Sequence, residues 1–242
     1  MKANPKVLVF MYYDTNEGYE ELARSINEDY CKEHGYTFVV RTSGYDDIPP
    51  WWRKVFLLRD LMDAYPQVDY YMWMDSDAAF VKQRYIPIGT LFDERDGVLH
   101  IGKDPVPEHS GAYNAGVFAI KNNSLGREFV NDWVSKYDSS TWCRSSDSDC
   151  DLPLVLGKWK TSGGWAGPTF EQGVMNAMAA SEKYIPHVVG YDLAYFSELD
   201  PTKVSFVRHL MGKSTKERQE YFNLTLSTLQ CYPSNAPFRF VL

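Results

Sequence analysis

Tyr70-Tyr71-Met72-Trp73-Met74-Asp75-Ser76-Asp77 is an apolar run that passes without a break into two carboxylates spaced i, i+2. Five large apolar or aromatic side chains in succession fit a strand buried on both faces. Outward from it the pattern repeats. Residues 6–12 read as a first strand. Residues 19–31 carry Leu22, Ile26 and Tyr30 at helical spacing, with Asp14, Thr15 and Asn16 offering caps before them and Gly35 a stop after them. Residues 36–41 resume as a strand. Residues 52–65 then place Val55, Leu58, Leu61 and Met62 on one helical face before Pro66 ends it. Strands alternating with helices imply a mostly parallel sheet covered on both faces, with ligands beyond the carboxyl ends of its strands. Asp75 and Asp77 fall at that edge.

Toward the C-terminus the rhythm loosens. Residues 97–101 and 116–120 read as strands and 125–137 as a helix. Residues 138–169 form a polar stretch rich in Ser, Asp, Gly and Trp, and a loop of that length in a compact domain is usually functional or mobile. Residues 170–181 read as helix, 184–189 and 204–207 as extended, and 215–229 as helix. The reading is one α/β domain over residues 1–242. Residues 6–77 form a nucleotide-binding half and residues 78–242 an acceptor-binding half.

The composition narrows the function. Of 242 residues, 44% are hydrophobic, enough for a core, and the formal charge of -7 argues against a general nucleic-acid binder. A phosphorylated small molecule stays possible, because a divalent metal can supply the missing positive charge locally. No run approaches the roughly 18 apolar residues of a membrane span, and residues 1–5 do not form a signal peptide. The sequence as written reads as cytoplasmic; a chain trimmed of an anchor would work in the Golgi lumen. The sequons Asn122-Asn-Ser124 and Asn223-Leu-Thr225 matter only in a secreted chain. Cys31, Cys143, Cys150 and Cys231 are too few and scattered for a disulfide scaffold or a zinc site. Cys143 and Cys150 can bridge within one loop in an oxidising compartment, and free thiols fit equally well. The abundant aromatics fill a core or offer sugar-stacking faces, with Trp142, Trp159 and Trp165 as candidates for the second role.

Asp-x-Asp on a turn supplies hard oxygen ligands to a divalent ion and leaves positions open for phosphate oxygens. The bland alternative is a capped turn with solvated acids. Asp147-Ser148-Asp149 repeats the tripeptide within a Ser/Asp-rich loop that no strand precedes, and there the bland reading is preferred. Context selects Asp75 and Asp77.

The run Trp51-Trp-Arg-Lys54, then Leu61-Met-Asp-Ala-Tyr-Pro66 and Trp73-Met-Asp-Ser-Asp-Ala78, resembles glycosyltransferase family 34. That family includes galactosyl-, α-1,6-mannosyl- and xyloglucan xylosyltransferases. Tyr30-Cys-Lys-Glu-His-Gly-Tyr36, Asn114-Ala-Gly-Val-Phe-Ala-Ile-Lys-Asn122, Phe170-Glu-Gln172 and Arg208-His209-Leu-Met-Gly212-Lys213 match in the same order. The resemblance implies a GT-A fold, with a central mixed, mostly parallel sheet flanked by helices. It also implies retaining transfer from a nucleotide sugar, a UDP-sugar first of all, to a glycan acceptor. Asp75, Asp77 and His209 would hold the metal, Mn²⁺ or alternatively Mg²⁺. Gly212 and Lys213 would meet the diphosphate and Lys54 would lie near the nucleotide. Asn114 would touch the donor sugar, and Glu171 with Gln172 would lie at the donor–acceptor junction. Some family members carry Asp-Asp-Gln where this chain has Phe170-Glu171-Gln172.

The chemistry of His209 supports the same role, since imidazole completes an oxygen-rich manganese site and a nearby glycine lets backbone amides approach phosphate. His34, His100, His109 and His187 read as structural. Two mechanisms fit retention: front-face attack through a short-lived oxocarbenium-like pair, or covalent double displacement with Glu171 as nucleophile. Two rivals remain. A sugar nucleotidyltransferase would need a glycine-rich basic loop after the first strand, where residues 13–21 are acidic with one glycine. A non-catalytic binding module of the same fold would not need the whole metal-and-phosphate set.

Overall fold

The computed structural model describes residues 4–81, 87–196 and 205–230. The chain runs β1 (Val7–Tyr12), α1 (Tyr19–His34), β2 (Thr37–Arg41), α2 (Pro50–Ala64), β3 (Tyr70–Met74), β4 (Ala78–Phe80) and α3 (Ile88–Glu94). There follow β5 (Leu99–Lys103), α4 (Pro107–Ser110), β6 (Tyr113–Lys121), α5 (Ser124–Ser135), β7 (Trp142–Arg144), β8 (Leu154–Leu156) and β9 (Trp159–Thr161). Last come α6 (Glu171–Ala179), β10 (Val188–Tyr191), α7 (Leu193–Phe196), β11 (Val207–His209) and α8 (Thr215–Gln230). Cys231 and Val204 lie outside the described residues.

The main sheet has six strands in the order β10-β5-β6-β3-β1-β2. Only β6 runs antiparallel, against β3 on one side and β5 on the other. The sequence shows why the sheet lies buried between two layers. Leu8, Phe10 and Tyr12 of β1, with Tyr71 and Trp73 of β3, enter one core with α2 and α5. Val7, Val9 and Met11, with Tyr70, Met72 and Met74, enter a second core with α1 on the opposite face. Alternation at a period of two sends neighbouring residues to opposite faces, so an unbroken apolar run supplies both cores. Each large side chain so buried contributes about 1.5–3 kcal/mol.

Several elements differ from expectation for identifiable reasons. No side chain from Asp14 to Asn16 caps α1, because Gly18 occupies the cap position. Asp14 instead pairs with Arg53 at 2.5 Å, and Thr15 donates to Glu20. At the other end Gly35 closes α1 at φ 69°, and its N–H reaches back to Cys31 and Lys32. Helix α2 starts at Pro50, where proline costs no helical hydrogen bond. Residues 138–169 are not structureless: β7, β9 and β8 form a small antiparallel sheet, and a Cys143–Cys150 disulfide closes its first loop. Strand β4 pairs antiparallel with β11, placing Ala78 opposite His209. These three-residue strands owe their existence to distant partners and carry little local pattern.

Candidate functional site

The carboxyl end of β3 opens the site. Asp75 leaves the strand with its N–H donating to Gly116 O at 2.8 Å, and Ala78 N–H returns to Asp75 O, making a tight turn. That turn feeds β4, whose partner β11 delivers His209 from the far end of the chain. Leu210 N–H donates to Asp77 O at 2.9 Å and fastens the two segments. The His209 Nε2 atom then lies 3.2 Å from Asp77 Oδ1 and 3.6 Å from Asp75 Oδ2.

The remaining carboxylate oxygens are spoken for. Asp77 Oδ2 meets Arg218 of α8 at 2.7 Å. Asp75 Oδ1 accepts from Lys54 at 3.0 Å and from the Trp73 indole at 2.7 Å. The inner oxygens therefore face one imidazole nitrogen, and one ligand atom from each of the three residues lies within 4.8 Å of the others. Neighbouring oxygen and nitrogen ligands of a six-coordinate ion with bonds near 2.1 Å lie about 3 Å apart. This donor set fits a hard or borderline divalent cation and leaves other positions open to a substrate.

Gly116 of β6 provides the space for His209. A Cβ there would lie 2.0 Å from the imidazole Cε1, so no other residue admits the ring in this place. The Nδ1 atom of His209 is buried and has no hydrogen-bond partner. Burial disfavours the imidazolium, yet the Asp77 carboxylate beside it outweighs this and raises the imidazole above its ordinary value. Burial likewise works against the Asp77 carboxylate, and His209 with Arg218 brings it below the usual carboxylate range.

Lys54 is fully enclosed and bridges this group to Glu171. Its ammonium sits 3.0 Å from Asp75, 3.2 Å from Glu171 Oε1 and 3.1 Å from Ala115 O. Burial works against the Lys54 charge, but the two carboxylates together raise it above its ordinary value. Burial pushes the Glu171 carboxyl up, because Lys54 is shared with Asp75 and compensates only in part. Glu171 Oε2 is buried without a partner. An unpaired carboxylate oxygen in such a place is costly, which makes Glu171 a candidate functional group.

Gln172 and Asn114 join the site through a residue that sequence reading passed over. Asp104 is buried, and its Oδ2 accepts from Asn114 at 2.9 Å and from Gln172 at 3.4 Å. Its Oδ1 accepts from Val106 N–H at 2.8 Å. Gln172 Oε1 takes the Ala115 N–H and Asn114 Oδ1 takes the Gly116 N–H, so both amides are locked to β6. An isolated Asp before proline gave no hint of this. Arg218 and Gly116 were also missed, the first as an ordinary helix charge and the second as a silent member of a quoted motif. Lys213 pairs with Glu217 at 3.5 Å, and Gly212 takes the left-handed φ of 71° in the turn after His209. Of the three tryptophans singled out for stacking, Trp142 and Trp159 are each only 6% exposed and pack internally; Trp165 is 55% exposed. The Asp147–Asp149 loop stands apart from the metal group, with Asp147 accepting from Arg144 N–H.

Known proteins answer to both the sequence and the fold. Residues 3–86 match the model of the galactosyl transferase GMA12/MNN10 family. Over those residues the chain is similar to that family. Probable glycosyltransferase 2 of Oryza sativa subsp. indica is 33% identical over 110 residues, which is 44% of this chain and 23% of that protein. Galactomannan galactosyltransferase 1 of Cyamopsis tetragonoloba is 32% identical over 111 residues, 44% of this chain and 25% of that protein. The chain thus spans about a quarter of the length of these curated relatives. Among solved structures, a glycosyltransferase involved in the glycosylation of the major capsid of PBCV-1 superposes with a TM-score of 0.66 at 16% identity, covering 91% of this chain and all of that one. The galactosyltransferase LgtC, solved with donor and acceptor sugar analogs, gives 0.51 at 14% identity, over 96% of this chain and 97% of that one. The fold is GT-A. Among the described residues no helix is long and apolar enough to cross a membrane.

Proposed function

We propose that the chain is a metal-dependent, retaining glycosyltransferase domain that moves a sugar from a UDP-sugar to a carbohydrate acceptor. One observation carries the reading: Asp75 Oδ2, Asp77 Oδ1 and His209 Nε2 converge at the carboxyl edge of a GT-A sheet while the outer carboxylate oxygens are tied back. Asp75, Asp77 and His209 hold the metal, Mn²⁺ first of all. When bound, the cation supplies the positive charge that a diphosphate leaving group needs. Lys54 keeps Asp75 oriented. Glu171, held by Lys54, and Gln172 and Asn114, steadied by Asp104, border the transferred sugar. Retention and the UDP donor rest on the family resemblance. The curated relatives named for galactomannan and xyloglucan make these glycans the first acceptors to try. The chain acts as one domain, and the Cys143–Cys150 disulfide favours an oxidising compartment for its work.

Calorimetric titration with UDP, GDP and their sugars, with and without Mn²⁺, tests this. Mn²⁺-dependent UDP-sugar binding is expected, lost in Asp77→Asn and His209→Ala while circular dichroism stays native. Equal affinity with and without metal, or undiminished binding in both variants, rejects the assignment.

A further inference from the structure

The chain of contacts from His209 through Asp75 and Lys54 to Glu171 ends against a group of rings. Phe170 directly precedes Glu171. Trp51 sits one turn before Lys54 on α2, at the end of that helix nearest the carboxyl edge of the sheet. Trp51 stacks on Trp142 with centroids 5.4 Å apart and meets Trp165 edge-on at 5.9 Å; Trp165 in turn leans on Phe170 at 5.2 Å. Phe170 and Trp142 are buried and Trp51 is partly buried. Trp165 alone of the four is largely open to solvent.

This exposed ring is firmly mounted. Ala166 beside it adopts φ 54°, a left-handed conformation that costs a non-glycine residue about 1 kcal/mol or more. Gly167 N–H donates to Gly164 O, and Phe170 N–H to Gly167 O, each at 3.0 Å. A Cβ on Gly173 would lie 2.0 Å from Gly167 O, so the loop rests directly on the first turn of α6, which carries Glu171 and Gln172. The indoles of Trp52 and Trp142 both donate to Thr169 O, at 2.8 and 3.2 Å. A large apolar ring held in water on a strained, tightly packed loop is preorganised for a ligand.

We propose that the cluster of Trp51, Trp142, Trp165 and Phe170 is the acceptor subsite, with a pyranose ring of a glycan stacking on the open face of Trp165. The proposal deepens the transferase reading and rests on it. The C–H face of a pyranose matches a flat indole, while its hydroxyl rim remains in water at this edge. The position also suits an acceptor. Glu171 lies between the metal group, which it reaches through Lys54, and the rings, which Phe170 joins beside it, so a sugar on the rings would stand next to one bordered by Glu171.

The test is direct binding of cellohexaose and mannohexaose to protein saturated with UDP and Mn²⁺, measured by calorimetry on wild type, Trp165→Ala and Trp165→Phe. UDP–Mn²⁺ affinity on the same samples reports separately on the donor side. Wild type is expected to bind at least one hexaose. Trp165→Ala should weaken that binding about tenfold, and Trp165→Phe, which keeps a ring, should stay within about threefold of wild type. Equal hexaose affinity in Trp165→Ala overturns the subsite. So does a wild-type protein that binds UDP–Mn²⁺ but neither hexaose. Absence of UDP–Mn²⁺ binding in wild type overturns the transferase reading, and the subsite with it.

Discussion

Gly116 stands where any larger side chain would collide with His209, since an added Cβ would lie 2.0 Å from Cε1 and 2.8 Å from Nε2. In Gly116→Ala the imidazole must leave its place between the two aspartates, although no ligand is removed. Changes that misorient a metal ligand typically cost 10–100-fold in affinity, and a Mn²⁺ titration should register a loss of about that size. Asp149→Asn, which alters the other Asp-Ser-Asp, should leave the Mn²⁺ affinity as it is. Undiminished affinity in Gly116→Ala would remove His209 from the ligand set. A second residue bears on stability. His100 of β5 is buried with Nδ1 2.9 Å from the Tyr191 hydroxyl, and burial pulls its imidazole down from 6.5 to about 4. The folded state therefore resists a proton that the unfolded chain accepts. The stabilisation is complete above pH 6.5 and is lost as the pH falls toward 4, by about 3 kcal/mol in all. Denaturant melts across that window should show the slope, and His100→Gln should flatten it. The grouping of Asp75, Asp77 and His209 was legible because a strand, a tripeptide and a motif framed them. Asp104 was not, because its role comes from two amides delivered by β6 and α6.

Among the elements, those with long apolar periodicity read well: β1, β3, α1 and α2 each depart from expectation by only a few residues. The pairs β4 with β11 and β7 with β9 did not, because three-residue strands are specified by their partners across the fold rather than by their own pattern. The polar excursion around β7–β9 is a case in point. Val155 is exposed, Arg144 packs over Trp159 at 4.2 Å, and the buried rings of Trp142 and Trp159 belong to the core shared with α2 rather than to one of the excursion's own. The Cys143–Cys150 bond supplies part of what packing lacks by restricting the unfolded loop, a contribution of about 2–3 kcal/mol for so short a closure. A Cys143→Ser/Cys150→Ser protein should exchange its β7–β9 amides faster in deuterated buffer while the β1, β3 and β6 amides keep their protection. Equal acceleration of the central strands would mean that the excursion and the sheet unfold as one unit.

At the scale of the molecule, the parallel half was legible from alternation alone, whereas the reversal at β6 and the return of α8 against α1 were not. That return matters, because Arg218 of α8 reaches both Asp77 and Tyr19 and closes the site from behind. The arrangement also bears on the stereochemistry of transfer. Double displacement needs a free carboxylate at the anomeric carbon. Glu171 is the available group, yet one of its oxygens is held 3.2 Å from the Lys54 ammonium and the residue is only 3% exposed. A carboxylate engaged in this way is better suited to stabilising positive charge on the sugar than to attacking it. Front-face transfer is then expected, in which the acceptor hydroxyl attacks the side that the diphosphate leaves. An α-linked UDP-sugar should give an α-linked product, read from the anomeric proton in NMR spectra of the product. Glu171→Gln keeps the shape and removes the charge, and should slow transfer without changing the anomer formed. A β-linked product from wild type would reject retention outright. Complete loss of transfer in Glu171→Gln, with azide restoring release of the sugar from the nucleotide, would instead make Glu171 the nucleophile.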